Sequence, residues 1–275
     1  MLGALRYCTN LSAGWAGGRL LAGLLLFVAA SSASSSASAS GSAQRSVSVT
    51  TLEPLPAGVT LPVRLGRRLR AGKTRVGSTV VVKTTQRVPV TAVIYLDRGA
   101  ELEGKIVASV AGDGTAASPS VLSIEFTSLR YRKQTVAVVI WAIAIANFVQ
   151  VGDTFLPVQG GSDRGNSSEA SWTTAQVGGD QVVRSGWVGP VVGSGLRTVG
   201  SADYYGVYSL PAGAAGSSVP RAMGVFSTTA SGLYGFENGT SLSSSGGTIT
   251  LNRVGKRLEM RDGDNLLLEV VASSR

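Results

Sequence analysis

The most constraining feature of this chain is a run of eleven consecutive apolar residues, 136–146. It is too short to cross a bilayer as a helix, which takes about 20 residues. Large and small side chains alternate along it, Ile143 and Ile145 against Ala142, Ala144 and Ala146. That alternation, with many β-branched residues, predicts a strand buried on both faces, with Ala fitting a tight face and Ile filling the other. A buried helix is the rival, since Ala favours helices. The β-branched density and the Asn147 that follows decide for the strand.

The surrounding sequence has the same character. Val59, Leu61, Val63 and Leu65 alternate onto one face, as do Leu102, Gly104, Ile106, Ala108 and Val110, and Leu122, Ile124 and Phe126. Residues 79–83 are β-branched up to Lys83, and 88–96 form a second β-prone run kinked at Pro89. Toward the C-terminus, residues 205–210, 222–227, 232–236, 248–252, 257–260 and 266–272 read as six short strands, and Asn238-Gly239 is a hairpin signal. Residues 159–200 are rich in Gly and Ser and read as a flexible insertion, with room for one or two strands within 177–192. Beyond the first forty residues nothing sustains a helical period. The expected fold class is all-β, a barrel or sandwich of short antiparallel strands interrupted by that insertion.

The N-terminus reads as an export signal. Arg6 and Arg19 precede an uncharged apolar stretch over 20–30, and Ala37-Ser38-Ala39 offers a small-residue cleavage site. The expected organisation is a signal peptide over 1–39, a Ser/Ala-rich linker over 40–50, and one β-barrel-like domain over 51–275. Cleavage would remove the single cysteine, Cys8, so no disulfide could staple the mature chain. The expected location is periplasmic, outer-membrane-associated or secreted, with no transmembrane helix in the mature protein.

The mature chain would hold 23 cations against 16 carboxylates, a net charge of +7. The excess is concentrated. Arg64, Arg67, Arg68, Arg70, Lys73, Arg75, Lys83 and Arg87 follow one another with no acid between them. They form the one candidate site, for anions: an acidic polymer, lipid headgroups, or the acidic face of another envelope protein. A solvated hairpin edge protected by charge explains the same run. Pairing with Glu53, Glu101 or Glu103 across strands would make it structural instead. No aromatic is interleaved among the eight, which speaks against single-stranded nucleic acid.

Composition removes much catalytic chemistry. The chain has no histidine, which excludes Ser-His-Asp and Cys-His devices and, with one cysteine, ordinary zinc sites. Gly99 to Ile106 approaches a phosphate-binding loop, but Ile106 stands where Ser or Thr would hold magnesium, and a strand follows. Asp262, Asp264 and Asn265 cluster oxygens without the six to eight ligands that calcium takes. No cofactor, metal site or catalytic residue is expected. A carboxylate pair for hydrolysis, among residues such as Glu101, Glu103, Glu125, Asp153, Asp203, Glu237 and Glu259, is the weaker alternative. A carbohydrate- or surface-binding module built on Trp172, Trp187, Tyr204, Tyr205, Tyr208 and Tyr234 is the stronger one.

Three segments share a frame: a Gly at 58, 99 or 263, a Leu three residues later at 61, 102 or 266, and an apolar residue four further on at 65, 106 or 270. Each reads as a tight turn launching a strand whose Leu faces inward. With the Val76-Gly77 turn, Ile124 to Phe126, Leu129 and the apolar strand after Gln134, residues 55–148 resemble the C-terminal barrel of the conjugal-transfer TrbI-like family. That family supplies the outer-membrane core component of type IV secretion systems. Its usual Pro is Asp97 here, and the third repeat is similar to the closing strand of that barrel. The resemblance implies a barrel with a structural, non-enzymatic role and carries no catalytic residues.

Overall fold

The computed structural model describes residues 54–156, 158, 172–184, 188–211, 218–255 and 257–271. The expected signal peptide and linker lie outside them. The strands in chain order are β1 (Thr60–Leu65), β2 (Leu69–Arg70), β3 (Thr79–Thr84), β4 (Val88–Pro89), β5 (Tyr95–Leu96), β6 (Glu101–Val110), β7 (Ser120–Tyr131), β8 (Gln134–Ala137) and β9 (Ile140–Ala146). A short helix α1 (Phe148–Asp153) follows. Then come β10 (Trp172–Ala175), β11 (Gln181–Arg184), β12 (Gly189–Val192), β13 (Thr198–Asp203), β14 (Gly206–Ser209), β15 (Gly232–Tyr234), β16 (Thr240–Ser245), β17 (Thr248–Arg253), β18 (Glu259–Met260) and β19 (Asn265–Val270).

The fold is all-β, and its main body is a large, nearly closed barrel. Hydrogen-bonded neighbours run β15-β9-β19-β1-β3-β6-β7-β17-β16, with β8 beside β7. The ends of that path approach each other where the Ala142 amide donates to Ser244 Oγ at 3.0 Å. All pairs are antiparallel except β15 with β9, so the sheet is mixed rather than wholly antiparallel. The expected inward faces fill the interior: Leu61, Val63, Leu65, Leu102, Ile106, Leu122, Ile124 and Phe126 are all buried in one cluster.

The repeated turns are built alike. Gly58, Gly99 and Gly263 have φ of 88°, 92° and 93°, a left-handed conformation that favours glycine. Each donates its N–H to the last carbonyl of a neighbouring strand: Gly58 to Val270 at 2.8 Å, Gly99 to Thr84 at 3.0 Å and Gly263 to Leu65 at 3.0 Å. The Leu three residues on is fully buried in each case. The turn thus closes one strand and starts the next in register.

The run 136–146 divides. Its first residues end β8, its last seven form β9, and Asn147 caps α1 by accepting from the Gln150 amide at 3.0 Å. Burial on both faces is real at the end of β9. Ile145 joins the barrel core, while Ala144 and Ala146 join a second core with Leu267 of β19. An irregularity in the pairing between Leu267 and Leu268 falls opposite Ala144 and Ala142. The bulge lets Ile143 and Ala144 both face the second core, after which alternation resumes.

That second core exists because another sheet covers β9 and β19. An antiparallel meander β10-β11-β12-β13-β14 contributes Val182, Val191, Ala202 and Val207, joined by Met223 and Phe226 from the following loop. The stretch 159–200, expected as a flexible insertion, is corrected over its described residues: 172–184 and 188–200 carry most of this sheet. The run 88–96 also differs from one kinked strand. It reverses as the pair β4/β5, with Thr91 Oγ1 accepting from the Val93 and Ile94 amides at 3.3 and 3.0 Å. Asn238-Gly239 leads into β16 rather than joining paired strands, and the β16/β17 hairpin closes at Gly246-Gly247.

Candidate functional site

The eight cations of the expected site do not form one face. Arg64, Arg67 and Lys83 line a shallow depression outside β1 and β3 with Gly66, Thr79 and Val81. Arg64 and Lys83 are cross-strand partners in the β1/β3 register. Arg64 approaches Asp262 at 3.8 Å, Lys83 pairs with Glu101 at 3.0 Å, and Arg67 donates to the Thr79 carbonyl at 3.1 Å. Arg87 lies elsewhere, its guanidinium stacked on Tyr95 and Tyr205 with 4.0 and 4.8 Å to the ring centroids.

The densest group gathers where β1 and β9 finish and β3 and β19 start. β2 pairs with β18 in a two-stranded ribbon, Arg70 opposite Glu259 and Leu69 opposite Met260. Leu69 and Met260 are fully buried and anchor the ribbon on the barrel core. Their polar neighbours therefore face out. Four guanidiniums converge on Glu259: Arg68 at 2.5 Å, Arg261 at 2.7 Å, Arg257 at 3.1 Å and Arg70 at 3.2 Å. Burial pushes the Glu259 carboxyl upward, but the hydrogen bonds from Arg68, Arg261, Arg257 and Arg70 prevail and bring it down to about 2. Its single charge cannot neutralise four. Arg70, Lys73 and Arg257 also share one surface depression with Gly72 and Ala111. With Lys73, five cations gather at the ribbon, four of them in contact with Glu259, while Arg67 belongs to the depression outside β1 and β3.

Sequence reasoning placed three of these five, Arg68, Arg70 and Lys73, in the run from Arg64 to Arg87. It missed Arg257 and Arg261 and weighed Glu259 only as a hydrolytic carboxylate; all three arrive from nearly two hundred residues away through the β2/β18 pairing. The only local signal was the density of Arg in residues 253–261. Of the three acids expected as possible partners, Glu101 does pair within the run, with Lys83. Glu103 reaches Arg130 at 3.7 Å, and Glu53 lies outside the described residues.

Several other carboxylates are held in structural contacts. Hydrogen bonds from Arg130 and Lys83 hold Glu101 below its ordinary range. The Tyr131 hydroxyl, then Arg132, does the same for Asp97. Asp264 is the exception: burial raises it to about 6. Both its oxygens are occupied, by the Phe148 amide at 2.8 Å and the Arg261 amide at 2.7 Å. Among the described residues no group of His, Cys, Asp and Glu is arranged to hold a metal ion, and no helix is long and apolar enough to cross a membrane.

The expected aromatic group is also divided. Tyr204 and Tyr205 are exposed, Tyr208 is buried with its hydroxyl donating to the Arg87 carbonyl at 3.1 Å, and Tyr234 is half-buried. Trp187 and the Trp172 side chain lie outside the described residues. No protein family, curated protein or solved structure matches the chain.

Proposed function

We propose that this chain is an exported, non-enzymatic β-barrel domain of the cell envelope that works by binding, and that its cationic end docks on an anionic envelope surface. The observation that carries this reading is the ribbon of β2 and β18, with four arginines on the single carboxylate of Glu259 and Lys73 beside them. A purely structural ion pair needs one or two arginines per carboxylate. The surplus leaves a positive field that attracts acidic polymers or lipid headgroups. The leader sequence supports export. The resemblance to the TrbI-like barrel supports a structural partner in the envelope, with the fold step resting on analogy. The engaged state of Glu101, Asp97 and Asp264 supports binding over acid–base catalysis.

Co-sedimentation of the purified chain with phosphatidylglycerol vesicles, against phosphatidylcholine vesicles, tests the reading. The chain is expected to pellet with the anionic vesicles at low salt and to remain in solution with the neutral ones. Equal behaviour with both would refute it.

A further inference from the structure

A second site is a groove of about 990 Å³ between the barrel and the small sheet, which meets the cationic end at Arg64 and Asp262. Its floor is fixed by one side chain. Gln86, 5% exposed, donates through Nε2 to the Val207 carbonyl at 2.9 Å and accepts through Oε1 from the Val207 and Gly224 amides at 3.1 and 2.9 Å. The Arg87 amide donates to the Tyr205 carbonyl at 3.2 Å, continuing the same seam. A groove stitched this way keeps its shape without a ligand, which lowers the cost of binding.

The lining combines three features. Four arginines, Arg64, Arg87, Arg98 and Arg184, outnumber the three lining carboxylates Asp97, Asp203 and Asp262, and Arg87, Arg98 and Arg184 have no carboxylate within ion-pair distance among the described residues. The Nε atoms of Arg87 and Arg184 and the Oδ1 of Asn265 are buried without a hydrogen-bond partner. Buried polar atoms are nearly always satisfied, and exceptions call for an explanation. Finally, Tyr205 and Phe155 are 57% and 71% exposed at the groove, large rings facing solvent beside those cations.

We infer that this groove binds an acidic carbohydrate, a glycan segment bearing uronic-acid carboxylates. Planar guanidiniums match carboxylates in a two-pronged geometry. The exposed rings offer flat apolar faces to the C–H face of a pyranose. The open, elongated groove suits a chain of residues better than a single small ion.

Calorimetric titration of the full chain with a trigalacturonate, against maltotriose and inorganic phosphate, tests the inference. Binding is expected for the uronate alone. Arg184→Gln, Arg98→Gln and Tyr205→Ala should each weaken it about tenfold while leaving the thermal midpoint close to the parent's, since all three side chains are solvent-accessible. The triple variant Arg67→Glu, Lys73→Glu, Arg75→Glu, which alters only the cationic end, should bind the uronate as the parent does. Equal binding of maltotriose would overturn the role of the carboxylate, and equal binding of phosphate the role of the sugar. No uronate binding, or binding unchanged in Arg184→Gln and Tyr205→Ala, would overturn the site itself.

Discussion

Arg68 and Glu259, 191 positions apart, meet at 2.5 Å and tie the segment after the first barrel strand to the segment before the last. The contact rests on the pairing of two-residue strands β2 and β18, whose apolar partners Leu69 and Met260 are buried beneath it. A short ribbon of this kind is weak alone. Here, burial of its inner face and charge on its outer face act on the same two strands.

Glu259→Gln should therefore destabilise the fold by about 1–3 kcal/mol, between the values for exposed and buried pairs, because the arginines remain half-exposed. The pH dependence has a definite sign. The folded carboxyl titrates at about 2, below its ordinary value of 4.5, so its stabilising contribution is complete above about pH 4.5 and is lost as pH falls through 2. Acid unfolding followed by circular dichroism should show the parent losing stability over that window and the variant losing less.

Asp264 has the opposite sign. Burial raises its folded value to about 6 from 3.8, so the folded state holds the proton more tightly. Stability from this group is present below about pH 4, declines as pH rises, and is gone above about pH 6. Asp264→Asn removes that titration. The parent's unfolding free energy should fall from pH 4 to pH 6 relative to the variant's, by an amount on the order of 2 kcal/mol, and its thermal midpoint should fall with it.

Gln86→Ala would leave the Val207 and Gly224 amides without their partner, while the Val207 carbonyl keeps the Met223 amide at 2.9 Å. Unsatisfied buried groups of this kind cost about 1–3 kcal/mol each, and partial hydration of the opened seam keeps the total near 2–4 kcal/mol. Hydrogen exchange should locate the loss at β14 and the loop around Gly224, with the barrel strands β6 and β7 unchanged.

Ile145→Asp places an unpaired charge inside the barrel, where Ile145 is fully buried. The cost is several kcal/mol or more, enough to prevent soluble folding. Recovery of soluble protein with the parent's thermal midpoint would contradict the assignment of β9 to the core.

The barrel was legible because its signals are local. Alternation at Leu61, Leu102 and Leu122 and the repeated Gly turns each act within ten residues. The small sheet was not, because its strands carry few large apolar residues and their burial depends on β9 and β19 lying across from them. Strand β16 escaped for a similar reason: Leu242 is the only large apolar residue in Thr240–Ser245. Three cations of the candidate site were visible within a run, but their grouping was not. A run of charge fixes how many cations share a segment, whereas β2/β18 pairing decides that Arg68 and Arg70 meet Arg257 and Arg261 while Arg87 stacks against tyrosines elsewhere.

The claim that the cationic end binds anionic surfaces is tested most directly by a salt titration of phosphatidylglycerol-vesicle binding, for the parent and for the Arg67→Glu, Lys73→Glu, Arg75→Glu variant, with a thermal melt of each. These three cations are exposed and none pairs with a carboxylate among the described residues, so their reversal should leave the melt nearly unchanged. Each basic residue near such a surface contributes about 1 kcal/mol, so the variant should bind at least about a hundredfold more weakly. The parent's affinity should fall steeply with salt, and the variant's less so. A folded variant that binds as tightly as the parent, or a parent whose binding ignores salt, would contradict the account.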